Sequence, residues 1–266
     1  MHVDFEVHMN EKISLAGDLG SGKSTVSAIL KEALGAEIYS TGAIVRDIAT
    51  RRGMSVGELN VYMETHPEID HEIDDGLKAL SRDERALIID SRMAWHFTAG
   101  TFRIYLSTDT MTSARRILSA GRAEEQAATV EEMAASIRAR RASEEKRYME
   151  QYGVNIKDLT NYDLVVDTSF ATPQAVADAV LSAFRAWQED KSFRCAYLCP
   201  ARLLTAPDTA GGEPVATERD GLFYLVSGAD AAATLTRDGA TFVPVRLVHA
   251  DVATEAYIPL DRSVTC

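Results

Sequence analysis

Gly17-Asp18-Leu19-Gly20-Ser21-Gly22-Lys23-Ser24-Thr25 decides how the first two-thirds of this chain is read. The nine residues fit the pattern G-x-x-x-x-G-K-[ST], in which glycines let the backbone turn tightly and aim its N–H groups at phosphate oxygens. The setting fits as well. Ile13-Ser14-Leu15-Ala16 reads as a short buried strand before the loop. Thr25 to Leu34 reads as an amphipathic helix after it, with Val26, Ile29, Leu30 and Ala33 on one face. A helix N-terminus adds a dipole that favours anions. The motif therefore assigns Gly17, Gly20, Ser21, Gly22, Lys23, Ser24 and Thr25 to a nucleoside triphosphate, ATP, with Lys23 reaching its β- and γ-phosphates and Ser24 ligating Mg2+. Asp18 is the discordant residue, because a carboxylate beside phosphates is unfavourable unless its side chain turns away.

Working outward, Ala36 to Tyr39 reads as a second strand, followed by a helix from about Ala43 to Arg52 with Thr41 as its N-cap. The turn Ser40-Thr41-Gly42 with Arg46 one helical turn later suits a second, acceptor phosphate; an exposed helix arginine is the open alternative. Ser55 to Leu80 predicts two or three helices, the first opened by a Ser55–Glu58 capping box. The acids Glu68, Asp70, Glu72, Asp74 and Asp75 read as a solvated helix face. The sharper reading lets Asp70 or Asp74 accept a hydrogen bond from a substrate amino group. Ala86 to Asp90 is a buried parallel strand that ends in an acid where ligands bind in open α/β sheets, so Asp90 could hold Mg2+ through water and Arg92 could meet the acceptor. Trp95, His96 and Phe97 either wall a base site or pack beneath a loop.

Thr101 to Leu106 is the next strand, and the helix from about Thr110 to Ala120 carries Arg115 and Arg116. Gly121-Arg122 opens a polar segment to Thr129, which reads as a flap bringing arginines over the transferring phosphoryl group. In the long charged helix Val130–Tyr152, Arg140, Glu144 and Arg147 share one face. Guanidinium groups ordered by one carboxylate suit phosphate neutralisation, and a surface helix with ion pairs is the alternative. Asp163 to Asp167 is a fifth strand, and Thr172-Pro173 opens a closing helix to about Trp187. Five strands alternating with helices predict an α/β fold, a parallel sheet with helices on both faces.

Gly17–Thr25, Ser40-Thr41-Gly42 with Arg46, Asp90-Ser91-Arg92, the Arg140/Glu144/Arg147 helix and the stretch Tyr148 to Asp167 together resemble nucleoside monophosphate kinases of the cytidylate kinase type, over about residues 11–188. The sequence departs at Asp18-Leu19, where many members have proline-rich residues, and at Ser91, where glycine is common. The resemblance implies a P-loop nucleoside monophosphate kinase fold and phosphoryl transfer from ATP·Mg to CMP or dCMP. It places Arg46, Arg92, Arg140 and Arg147 on the acceptor phosphate or base, with Ser40, Thr41, Asp90 and Glu144 beside them, and Arg115, Arg116 and Arg122 in a lid.

A boundary is expected near Glu189–Ser192, dividing the chain into a kinase-like domain, 1–190, and a small β-rich (α+β) domain, 193–266. Strands are expected at Cys195–Leu198, Gly221–Val226, Thr241–Val248 and Ala256–Leu260, with Ala206 to Asp220 loop-like. Pro200–Leu204 followed by Gly221–Ala232 loosely resembles the ParB/sulfiredoxin-like fold, with Asp230 and Ala231 where that fold carries a phosphate-binding His-Arg pair. Such a module could contact a second copy or a protein partner. The three cysteines, Cys195, Cys199 and Cys266, read as isolated thiols of a reducing cytosol.

The net charge of −12 shows no basic nucleic-acid footprint across the chain, and no apolar run is long enough to span a membrane. Residues 1–12 are charged throughout and lack the apolar core of a signal peptide, so a cytoplasmic location is expected. Two other functions stay open: a nucleotide-sensing regulatory module without turnover, and a kinase of the same fold for another small phosphorylated acceptor.

Overall fold

The computed structural model describes residues 11–121 and 127–260. In chain order these form β1 (Lys12–Gly17), α1 (Lys23–Leu34), β2 (Glu37–Ser40), α2 (Thr41–Arg52), α3 (Val56–Met63), α4 (Pro67–Ala79), β3 (Leu87–Asp90), α5 (Ala94–Phe97), β4 (Thr101–Ser107), α6 (Thr110–Ser119), α7 (Val130–Tyr152), β5 (Leu164–Asp167) and α8 (Pro173–Glu189). Beyond them lie β6 (Cys195–Leu198), β7 (Leu203–Thr205), β8 (Val215–Arg219), β9 (Leu222–Ser227), α9 (Ala229–Arg237), β10 (Val243–Leu247) and β11 (Ile258–Pro259).

β1 is buried along its whole length because helices cover both faces of the sheet. Strand periodicity divides its residues. Ile13 and Leu15 pack with Ile88, Phe102, Ile104 and Val166 against Val26 and Leu30 of α1 and Val180 and Phe184 of α8. Leu87 and Ile89 point the other way, to Leu77 of α4 and Tyr148 of α7. The first five strands run parallel in the order β2-β3-β1-β4-β5. The chain leaves β1 toward β2 on one side and later reaches β4 on the other. The crevice beyond the C-terminal ends of β1 and β3 is thus the place where such a sheet takes its ligands.

Local signals set the helix ends. The predicted Ser55–Glu58 capping box is present, and a second one, Thr129–Glu132, opens α7. The expected N-cap Thr41 is corrected by one residue. Ser40 keeps the extended backbone of β2 and its hydroxyl accepts from the Ala43 N–H, so Thr41 is already helical.

After α8 the sheet continues. β6 pairs parallel with β5, and β10, β8, β9, β7 and β11 follow outward, making eleven strands among the described residues. One apolar cluster joins Ala16, Tyr105, Tyr162 and Val165 to Ala196, Leu203, Phe223, Leu225 and Val243. The stretch 206–220, expected as loop, contains β8: Ala216 and Thr217 are buried between β9 and β10, which the polar flanks concealed. α9, begun by Gly228 at φ 75, was also not foreseen. Cys195 is half-buried and Cys199 buried, and burial pushes the Cys195 thiol up to about 11.

Because Phe223 is fully buried in a cluster shared by both ends of the chain, Phe223→Ala should destabilise the whole protein by about 3–5 kcal/mol. Denaturant unfolding followed by tryptophan fluorescence should show a lower midpoint, with Trp187 of α8 reporting the same transition as far-ultraviolet circular dichroism.

Candidate active site

Gly17 ends β1 where a Cβ would stand 2.5 Å from the Leu106 carbonyl oxygen, so no larger residue fits. Gly20 is equally close to Ser113 of α6, and Gly22 takes φ 85 to turn the chain into α1. The loop therefore lies over the N-terminus of α1, whose first-turn N–H groups have no acceptor within the helix. Lys23 Nζ donates to the carbonyls of Gly17 at 3.0 Å and Asp18 at 2.9 Å. Burial lowers its ammonium to about 8, opposed by the charge of Asp90. The Ser21 hydroxyl is buried without a hydrogen-bond partner among the described residues.

Asp18 does turn away. Its carboxylate accepts from Tyr105 Oη at 2.7 Å, the Thr108 N–H at 3.0 Å, and Arg141 and Lys157, each at 2.8 Å. Burial disfavours its charge, but Lys157 and Arg141 outweigh that and hold the carboxyl well below the usual carboxylate range.

Two cavities meet over the loop. The first, about 170 Å3, opens between the loop, α2, α3, α4 and α7. Asp90, Ser24 and Lys23 lie at its base, and the Ser40 hydroxyl donates to Asp90 Oδ2 at 3.3 Å. Arg92 and Arg140 both pair with Glu144, at 2.5 and 3.1 Å. Burial pushes the Glu144 carboxyl up, but the two guanidiniums outweigh it and keep it ionised below the usual range. Arg147 is buried: its Nε lies 3.0 Å from Asp70 Oδ2, and Nη1 donates to the Asn60 carbonyl at 3.1 Å. The guanidinium of Arg46 lines the cavity without a hydrogen bond or ion pair among the described residues. Asp70 and Asp74 also line it. They are only 4% exposed, and burial raises both carboxyls, which corrects the expectation of a solvated acidic face; Glu68, Glu72 and Asp75 do face water.

The second cavity, about 320 Å3, opens on the other side of Gly20–Gly22, between the C-terminal half of α6, the turn after β5 and the start of α8. Arg116 spans it, donating to the carbonyls of Thr168 at 2.7 Å, Ser169 at 3.3 Å and Gly20 at 3.5 Å.

The structure thus brings together residues 19–25 of the phosphate loop, Thr41, Arg46, Asp90, Arg92, Arg140, Glu144 and Arg147 at the first cavity, with Ser40 behind them on Asp90, and Arg116 at the second. Arg115 lies on the exposed side of α6 and lines neither. Arg122 and most of the expected flap, and Cys266, lie outside the described residues. Trp95 packs on Tyr162, and His96 and Phe97 border a surface groove with Trp187, so these aromatics do not wall the first cavity. Sequence reasoning missed Asn60, Tyr148, Tyr105, Arg141 and Lys157. Arg141 was hidden by helical spacing, since it sits beside Arg140 in sequence and a different face of α7 presents it to Asp18. Lys157 follows no local pattern.

A family profile described as an AAA domain matches residues 13–137. The cytidylate kinase of Thermoplasma volcanium is 35% identical over 175 residues, covering 64% of this chain and 90% of that protein. The S-adenosylmethionine-dependent nucleotide dehydratase of Lacinutrix mariniflava is 32% identical over 178 residues; the match spans 66% of this chain but 36% of that one. Among solved structures, shikimate kinase from Bacteroides thetaiotaomicron superposes with a TM-score of 0.48 at 15% identity, over 66% of this chain and 98% of that one. The parallel β2-β3-β1-β4-β5 sheet with its phosphate loop after β1 is an α/β fold of the P-loop class. Identity at this level across nine-tenths of a relative's length goes further: the chain belongs to the cytidylate kinase family.

Two outcomes follow from the charges at the loop. Asp18→Asn strands Arg141 and Lys157 around a neutral group and should cost about 3–5 kcal/mol, read as a lower denaturation midpoint. Lys23 titrates near 8 in the free protein. Phosphate favours its ammonium, so triphosphate binding takes up a proton above that pH. Affinity for ATP should therefore weaken as pH rises from 8 to 9.5, by up to about tenfold per pH unit, and the slope should flatten in Lys23→Met; titration calorimetry across that range reads both.

Proposed function

We propose that the protein transfers a phosphoryl group from ATP to a nucleoside monophosphate, CMP or dCMP. The observation that carries this is the meeting of two cavities over one phosphate loop, the first lined by Arg46, Arg92, Arg140 and Arg147 and the second by Arg116. Donor phosphates fit the loop and the N-terminus of α1, with the donor base on the Arg116 side. The acceptor fits the first cavity, its phosphate facing the arginines. There Asp70 and Asp74, buried and facing that cavity, offer carboxylate oxygens to an amino group such as that of cytosine. Membership of a family whose relatives are cytidylate kinases supports the same acceptor.

The chemistry asked of the chain is alignment and charge compensation. Lys23, released from the Gly17 and Asp18 carbonyls, follows the transferring group. Arg92 and Arg140, already oriented by Glu144, present fixed positive charge where equatorial oxygens become more negative. The acceptor phosphate is its own nucleophile, so no dedicated base is needed. Ser24 and Asp90 supply hard oxygen donors at the base of the first cavity and suit Mg2+, which would screen the donor phosphates and polarise the transferring group. The job is that of a metabolic enzyme of the cell interior, in keeping with a cytoplasmic location. Residues 193–266 fit an accessory role, including a surface for a second copy or a protein partner.

ADP release from Mg·ATP should be seen with CMP or dCMP ahead of UMP, AMP, GMP and dTMP, and should vanish in Lys23→Ala. Asp70→Asn should lower kcat/KM for CMP by about 10- to 100-fold, the loss expected for a charged hydrogen bond to substrate. ATP binding with no turnover on any of these acceptors would overturn the nucleoside monophosphate kinase reading in favour of a nucleotide sensor or of an acceptor outside the nucleotides.

A further inference from the structure

A buried guanidinium links the C-terminal strands to the second cavity. Arg202, in the turn between β6 and β7, is 7% exposed and reaches the C-terminal end of β5. Its Nη1 donates to Asp167 Oδ1 at 2.9 Å and to Ser169 Oγ at 3.1 Å. Its Nη2 donates to the Gly221 carbonyl, and the guanidinium lies 5.1 Å from the centre of the Phe223 ring. Asp167 is fully buried. The same Oδ1 accepts from the Ser169 N–H at 3.0 Å and its hydroxyl at 2.6 Å, while Oδ2 accepts from the Cys199 N–H at 3.3 Å. Ser169 Oγ also accepts from the N–H of Asp109, whose carboxylate caps α6. The carbonyls of Thr168 and Ser169 hold Arg116. A continuous set of bonds therefore runs from Arg202, through the turn after β5, to Arg116 and the carbonyl of Gly20.

We propose that Arg202 is a positioning residue for the donor nucleotide: it holds the Asp167–Ser169 turn, and through it Arg116, where they form one wall of the second cavity. This rests on reading that cavity as the donor site. Without its cation, Asp167 would be a buried charge short of a partner. It would then draw Ser169 and the turn into new hydrogen bonds, which moves the Thr168 and Ser169 carbonyls. Arg202, Asp167, Thr168, Ser169 and Arg116 do not line the first cavity, so the acceptor should be far less affected than the donor. The C-terminal strands are in this way part of the apparatus that sets donor affinity.

The test uses the full-length chain with Arg202→Met, which removes the charge at similar length, and Arg202→Lys, which restores the charge without the fork. ATP affinity is measured by titration calorimetry, and KM is measured separately for ATP and CMP. Arg202→Met should raise the ATP dissociation constant and KM about tenfold, leave KM for CMP within about twofold, and be partly rescued in Arg202→Lys. A folded Arg202→Met that binds ATP like the wild type overturns the inference alone. Equal increases in both KM values, or a fall in kcat with both KM values unchanged, also overturn it by showing a merely structural role. A wild type without ATP affinity overturns the donor reading and this inference together. Should Arg202→Met fail to fold, Ser169→Ala and Arg202→Lys decide by the same KM split.

Discussion

A carboxylate sits fully inside the phosphate loop, and much of the architecture answers to it. Asp18 is only 5% exposed, and at such a buried place an unpaired charge costs several kcal/mol. Its compensation comes from separate parts of the chain: Tyr105 at the end of β4, the Thr108 N–H just beyond, Arg141 on α7 and Lys157 in the turn that follows. Each partner must be docked for the loop to be stable. The same contacts draw the carboxylate away from the side on which phosphates would lie. One residue thereby fastens the loop, the sheet and the longest helix to one another.

At the first cavity the logic is reversed, with cations held by acids. Arg92 and Arg140 share Glu144, and Arg147 shares Asp70, so guanidiniums are stored in place before any anion arrives. A net charge of −12 coexists with this local basic cavity because most acids lie elsewhere on the surface. Preorganised charge of this kind does not have to be assembled when negative charge builds up during transfer.

The C-terminal third is physically continuous with the rest. β6 adds to the β5 edge in parallel register, which covers a strand that would otherwise offer unpaired backbone groups. Arg202 then carries a charge from that addition to Asp167, at the rim of the crevice. An edge-covering strand and a buried ion pair together place distant sequence beside the phosphate loop.

Local chemistry made the first half of the site legible in the residues. Gly17, Gly20 and Gly22 are dictated by contacts and dihedrals that only glycine meets, the apolar runs of β1, β3 and β5 mark strands buried on both faces, and Ser55 and Thr172 announce helix starts. Spacing along α7 correctly put Arg140, Glu144 and Arg147 on one face. The rest required the fold. Whether Asp70 and Asp74 meet water or a cavity depends on what packs over α4, and the sequence of α4 does not contain α7. Arg141, Lys157 and Arg202 are surface-like in sequence because a long cationic side chain is equally at home in solvent. Burial assigned their partners, since a buried carboxylate at residue 18 or 167 must find a cation wherever the chain returns one. Sequence by itself determined the phosphate loop and the order of strands and helices around it. Tertiary structure alone decided which charges are buried, and so which of them face a ligand and which face each other.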